Sequence, residues 1–303
     1  MKNKEQPKVI NSISELHRLL GLEKPKHPLI TLINHADEIR VSEKSTTRVV
    51  LNFYNISIKK SFQGQLKYGK NYYDFDEGTM SFLAPKQVLV MDEENERNKN
   101  GWSLLFHPDL IRSHHLSSII NKYGFFSYGV NEALHLSEQE ESTVETLVKN
   151  IKREYESTVD LYSQDVMVSN IDLLLNYCNR FYNRQFITRK MASNDLLVNF
   201  ETILHNYFKL DSSINLPTVK GISKKLNVSP SYLSDMLRTV TGQNTQQHIH
   251  AKIIEKAKEY LTTTSLSVSE IAYQLGFEYP QSFNKLFKKK TDLSPLEFRK
   301  SFN

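Results

Sequence analysis

The chain has 303 residues, 39% of them hydrophobic and including 16 Phe and 15 Tyr, enough for two domains that each bury a core and too much for a disordered chain. Its formal charge of +5 is uneven: residues 196–303 carry 14 Lys and Arg against 9 Asp and Glu, the other 195 residues carry 25 of each, and so the surplus in the last third suits an anionic partner, nucleic acid before membrane. No run approaches eighteen apolar residues, the N-terminus has no export-type apolar core, and the one cysteine cannot close an internal disulfide, so a soluble chain in the reducing cytoplasm is expected.

In chain order, the first expected element is a short helix, with Ser12 and Glu15 as a capping box and Gly21 as its stop. Residues 28–107 then read as strands: PLITLI, RVVLNFYNISIK, NYYDF, TMSFLA, QVLVM and WSLLF are β-branched and aromatic. Gly64, Gly69, Gly78, Pro85 and the charged loop DEENERNKNG separate them, and many short strands with regular turns argue for a sandwich or a barrel. The acidic run Asp74, Asp76 and Glu77 before Gly78 reads as a hairpin turn.

After His107 the spacing becomes helical, over 108–116 and 137–184, with Ser137 and Glu140 forming a second capping box. Val144, Leu147, Val148 and Ile151 make one apolar stripe, and Leu161 to Phe181 supplies a heavier one. Such a helix pair can cover the barrel or mate with a second copy; the homodimer through residues 137–184 is the use carried forward. Cys178, in the apolar run IDLLLNYC, reads as packing. These stretches define a first domain, 1–185, followed by a basic linker at 186–195 and a second domain at 196–303.

The second domain contains an internal repeat. Val219, Ile222, Leu226 and Val228 match Val268, Ile271, Leu275 and Phe277; after one inserted residue, Leu233, Met236 and Leu237 match Phe283, Leu286 and Phe287. Each copy makes sense as two helices around a tight turn, at Asn227 and at Gly276, the residue types that best accept a left-handed backbone. Ser229 and Pro230 open one second helix and Pro280 the other; Ser267 with Glu270 caps the first helix of the second copy, and Gly242 and Asp292 stop the second helices. Between the copies, Ile249, Ile253, Ala257 and Leu261 mark a connecting helix. Such a spacer can hold two helices about 34 Å apart, one DNA turn.

Catalysis has little support. No histidine lies in the strands from 48 to 106, and His35 and His107 are isolated. The pairs His114/His115 and His248/His250 point to different helix faces, so no metal site is expected. There is no phosphate loop and no G-x-S-x-G elbow, and no cofactor or enzymatic activity is expected.

The stretch SVSEIAYQLGFEYPQSFNKLFKKKTDLSPLEFRK carries EIA, GF, FxxxFKK, SP and FR elements in order, and residues 196–303 resemble the DNA-binding domain of AraC/XylS-type transcription regulators. The first domain is similar in texture to that family's small cupin-like β-barrel sensor, with FHPDLI (106–111) at the barrel-to-helix junction. The resemblance implies an α+β chain: a cupin-like barrel with a helical hairpin, then an all-α domain of two helix-turn-helix units. It implies a cytoplasmic regulator, such as an activator, that binds double-stranded DNA at bacterial promoters, works with RNA polymerase and answers to a small apolar effector. Matching positions imply that Ser231, Ser234 and Asp235 face base edges in the first unit, and Gln281, Ser282 and Lys285 in the second. Arg238, Lys252, Lys288, Lys289 and Arg299 are implied to grip phosphates. The family often has long basic or amide residues where Ser234 and Asp235 stand. Asp235 either accepts from a cytosine amino group or pairs locally, and the second unit is expected to dominate reading.

Overall fold

Strands and helices separate along the chain, an α+β unit at residues 1–185 preceding a helical unit at 186–303. The computed structural model describes residues 7–37, 47–59, 66–68, 71–73, 78–91, 100–129, 132–188, 190–209 and 216–301. Gly64, Gly69, Asp74, Asp76, Glu77 and residues 92–99 of the charged loop lie outside the described residues.

Strand β1 (Lys8–Ile10) leads into α1 (Ile13–Leu19). Ser12 caps α1 by accepting from the Glu15 amide, while the Glu15 carboxylate accepts from Asn11 N at 2.9 Å, one residue earlier than a closed capping box would place it. The strands that follow are β2 (Ile30–Asn34), β3 (Thr47–Leu51), β4 (Tyr54–Lys59), β5 (Leu66–Tyr68), β6 (Asn71–Tyr73), β7 (Thr79–Leu83), β8 (Val88–Met91), β9 (Gly101–Phe106) and β10 (Leu134–His135). They form a three-stranded sheet β1-β3-β8, a five-stranded sheet β10-β7-β4-β9-β2 and the hairpin β5-β6.

The closed barrel that the resemblance implies is not found among the described residues. The run RVVLNFYNISIK breaks at Asn52 and Phe53, and its halves β3 and β4 join different sheets. Fully buried Phe53 is the physical reason: its ring enters a core that both sheets share. Ile10, Val49 and Leu51 of the smaller sheet meet Ile33 and Leu105 of the larger one there, with Ile13 and Leu16 of α1.

Strand alternation makes the two faces of the larger sheet unlike. On the face shared with Ile33 and Leu105, Ser57 and Ser81 lie 2.8 Å apart, His35 Nε2 is 2.7 Å from Ser103 Oγ, and buried Asn55 has an Oδ1 without a hydrogen-bond partner among the described residues. The opposite face carries Tyr54, Ile56, Ile58, Met80, Phe82, Trp102, Leu104 and Phe106, all buried. After it come α2 (Pro108–Ile111), α3 (Leu116–Ile119), α4 (Glu138–Glu156) and α5 (Ser163–Thr188). Two of these helices tie back to the sheet. Trp102 Nε1 donates to Glu145 Oε1 at 2.9 Å, the Tyr182 ring centre is 6.0 Å from that of Phe82, and Gln185 accepts from His135 N at 2.9 Å.

The α4 stripe Val144, Leu147, Val148 and Ile151 is therefore buried inside the chain, while Val166 and Leu173 of α5 stay exposed at 42% and 46%. Cys178 is fully enclosed, and burial pushes its thiol up, away from the reactive thiolate. The stretch expected as a linker is helical on both sides of residue 189, since α5 runs to Thr188 and α6 (Lys190–Lys209) follows. Ser193 donates to Phe186 O at 2.9 Å across that join. No helix among the described residues is long and apolar enough to cross a membrane.

Candidate nucleic-acid interface

Among the described residues six helices follow α6: α7 (Val219–Lys225), α8 (Pro230–Thr241), α9 (Thr245–Thr263), α10 (Val268–Gln274), α11 (Pro280–Thr291) and α12 (Pro295–Lys300). The pairs α7/α8 and α10/α11 are the two copies of the repeat. Their turns match bond for bond. Asn227 has φ +56° and Gly276 φ +89°; Val228 N donates to Ser223 O at 3.1 Å, and Phe277 N to Ala272 O at 3.0 Å. The long-range bond past a left-handed residue satisfies a carbonyl that the ending helix leaves without a partner. Gly242 (φ +78°) and Asp292 (φ +61°) end α8 and α11 in the same left-handed way.

Side chains fix the helix starts. Thr218, Ser229, Asn244, Ser267 and Ser294 each accept an amide hydrogen from the first turn, and Gln247, Glu270 and Glu297 close capping boxes back onto the last three. The serine hydrogen bonds to Glu270 and Glu297 hold both carboxyls below the usual carboxylate range. Each copy buries its own apolar residues: Ile222, Leu233, Met236 and Leu237 are fully buried in one unit, Ile271, Phe283 and Phe287 in the other. Phe283 stands 5.5 Å from Phe277 and 5.7 Å from Phe287 between ring centres. The nineteen residues of α9 make a spacer of about 28 Å.

Burying Leu233, Met236 and Leu237 turns Ser231, Asp235 and Arg238 to the opposite side of α8. Burying Phe283 and Phe287 does the same for Gln281, Lys285 and Lys288 on α11. The two edges differ sharply. Gln281, Ser282, Asn284, Lys285, Lys288 and Lys289 are all exposed. Ser231, Ser234 and Asp235 are half-buried; Ser234 Oγ lies 3.0 Å from Thr245 Oγ1, and Arg238 Nη1 donates to Asp235 Oδ1 at 2.8 Å.

Residues 222–301 match the family model described as a helix-turn-helix domain. The regulatory protein SoxS of Salmonella typhimurium is 32% identical over 91 residues, which make up 30% of this chain and 85% of SoxS. The chain belongs to the AraC/XylS family of DNA-binding transcription regulators. An HTH-type transcriptional regulator of Pseudoalteromonas carrageenovora is 35% identical over 101 residues, 33% of this chain and 56% of its own length, so the chain spans about half of that relative. Among solved structures, the C-terminal domain of the two-component response regulator yesN from Fusobacterium nucleatum is 35% identical, covering 33% of this chain and 96% of that one with a TM-score of 0.30.

Within this AraC/XylS-type domain the residues expected at phosphates fall into three situations. Lys288 and Lys289 are exposed on α11. Arg238 is paired with Asp235, and Lys252 Nζ donates to Glu255 Oε1 at 2.7 Å from a half-buried position. Arg299 is turned inward instead: its Nε donates to Leu261 O at 3.1 Å, and its Nη2 is buried without a hydrogen-bond partner among the described residues. Leu261 O belongs to the last turn of α9, where carbonyls lack helical partners and the dipole attracts a cation. Sequence reasoning missed Asn284, although it occupies in α11 the place of Ser234 in α8; the 50-residue register of the repeat contains the signal. The paired histidines are engaged separately: His248 Nε2 lies 2.8 Å from Thr241 Oγ1 and His250 Nε2 2.8 Å from Gln246 Nε2.

Proposed function

We propose that this AraC/XylS-type chain is a sequence-specific regulator acting at bacterial promoters, with α11 as its principal base reader. The observation that carries the reading is the exposed edge Gln281–Asn284–Lys285 on a helix held by a bond-for-bond copy of the α7/α8 turn. Gln and Asn can pair with adenine through two bonds, and Lys can reach guanine O6 and N7. Ser282 adds a permissive contact, and Ser231 and Ser234 offer shorter ones from α8. Lys288 and Lys289 suit phosphates, Arg238 and Lys252 only by sharing or giving up their carboxylates, and Arg299 serves as a brace between α12 and α9.

Residues 1–185 serve as sensor and assembly module in this reading. An effector bound to the sheets shifts the protein between two arrangements by its differential affinity for them. The aromatic interior suits an apolar molecule, and the unpartnered Asn55 oxygen favours one that also carries a hydrogen-bond donor. A homodimer would use the exposed side of α5 through Val166 and Leu173, and RNA polymerase is the downstream partner.

Mobility shift of the full chain tests the reading, with duplex enriched from a random pool, at two salt concentrations and with competitor DNA. Specific binding should survive competitor and weaken steeply with salt. Gln281→Ala or Lys285→Ala should cost about 1–3 kcal/mol and relax preference at one base, whereas Lys288→Ala weakens all sequences alike. Full discrimination by both base-contact variants overturns the assignment.

A further inference from the structure

The two helix-turn-helix units carry their charge on opposite members of the pair. In the first unit α7 has Lys220, Lys224 and Lys225 and no acid, while α8 has one Asp and one Arg. In the second unit α10 has a single charge, Glu270, while α11 has Lys285, Lys288, Lys289 and Lys290. The net charges are therefore +3 and 0 in the first unit, −1 and +4 in the second. The turns that join the helices are the same, so geometry does not account for the exchange.

All three α7 lysines are exposed, on the side away from buried Ile222 and Ser223. Helix stability accounts for Lys224 and Lys225, which stand in the last turn where the dipole attracts cations, but not for Lys220, which stands in the first turn with like-charged Lys224 one turn on. Lys225 is oriented by the Tyr207 ring, 5.1 Å from the centroid. In helix-turn-helix docking the first helix crosses the sugar-phosphate backbone while the second enters the major groove. On α8 the 2.8 Å pair between Asp235 and Arg238 cancels the only two charges of the groove-facing edge.

Resting on the reading that both units bind one duplex, we propose that the first unit holds DNA by its first helix. Lys220, Lys224 and Lys225 of α7 contact phosphates, and the self-neutralised edge of α8 lies in the groove with little electrostatic pull. The second unit works the other way round, with charge and base reading combined on α11. The chain thus has a backbone clamp and a base reader built on one motif, and Asp235 acts as a specificity-determining residue by keeping Arg238 occupied.

The test uses the full chain, a fluorescent duplex enriched by the unmodified protein, and affinity measured against salt. Lys220→Gln/Lys224→Gln/Lys225→Gln should flatten the slope of log K against log salt by about 2.7, at 0.9 per lost phosphate contact, with the ratio of specific to competitor binding unchanged. Lys224→Gln alone should remove about 0.9 and serves if the triple variant loses helical circular dichroism. Asp235→Asn should tighten binding and steepen the slope, because Arg238 is released. An unchanged slope in folded lysine variants overturns the clamp. Weaker binding by Asp235→Asn, with lost preference at one C·G pair, makes Asp235 a base reader and overturns its role here. If the unmodified chain shows no preference over competitor, the regulator reading fails instead, and the lysine variants still decide the clamp from the slope of nonspecific binding.

Discussion

The sheets and the tandem helices are organised over different ranges of the chain. In the two larger sheets, Lys8 pairs with Val49, Ile30 with Phe106 and Met80 with Leu134, so these ladders close only after a long segment has been looped back. In residues 218–301 each boundary closes within a few residues: Ser229 on Tyr232, Asn244 on Gln247, Ser267 on Glu270, Ser294 on Glu297. Loop closure costs entropy before a ladder returns anything, whereas capped helices can form one by one. Each unit should therefore fail in its own way when a single residue is changed.

Core truncation is the largest expected effect and tests both sides of the contrast. Phe53 and Phe283 are fully buried, so replacing either by Ala should cost about 3–5 kcal/mol. Trp102 is the one tryptophan and lies in β9, so Phe53→Ala should lower the denaturant midpoint read by tryptophan fluorescence. Phe283→Ala should register as lost helical signal and lost duplex binding. A fluorescence midpoint that ignores Phe53→Ala would contradict the shared core of the two sheets.

The turns give a middle-sized effect and ask whether the two helical copies are equivalent. Gly276→Ala forces a Cβ into a left-handed residue and should cost about 1–2 kcal/mol, while Asn227→Gly removes one and should cost nothing. Equal losses at the two positions, in urea melts followed at 222 nm, would break the equivalence.

Acid should produce the smallest effect, in two steps. Burial lowers the pKa of His248 against an opposing pull from Glu201; burial first, then Lys290 and Lys289, lower that of His250. A depressed histidine favours the neutral form when folded, so stability is complete above about 6.5 and declines as pH falls below it. Glu270 and Glu297 are depressed by their serine hydrogen bonds, so their contribution persists above the ordinary carboxylate range and is lost as pH falls through their folded values. His250→Asn should flatten the upper part of the stability profile and Glu270→Gln the lower; a profile unchanged by both removes these groups as its cause.

The same difference in range decides what could be read from the residues alone. Both left-handed turn positions, the stops at Gly242 and Asp292 and the apolar matches of the repeat are properties of short windows, and they were legible. So were most strand runs. The edge strands β1 and β10, of three and two residues, show no alternation pattern of their own and exist through their partners. The break at Asn52 and Phe53 was hidden because β-branched and aromatic residues continue on both sides of it, and only the demand of a shared core splits the run. The local pairing of Asp235 with Arg238 was one of two readings its sequence left open, whereas Arg299 needed three dimensions, because a carbonyl 38 positions back decides what its side chain does.

The unbroken helix α9 has a consequence for how operators can vary. An extra residue within it would rotate everything downstream by about 100° while advancing it by only about 1.5 Å. With about 10–10.5 base pairs per turn, three added base pairs recover nearly that angle but move the second site about 10 Å along the axis. No whole-number change in operator spacing can match such an insertion, so with both copies on one duplex, as proposed above, α9 would lock the protein to one rotational phase of it. Variation among target sites should therefore fall in base identity and not in the distance between the two contacted segments.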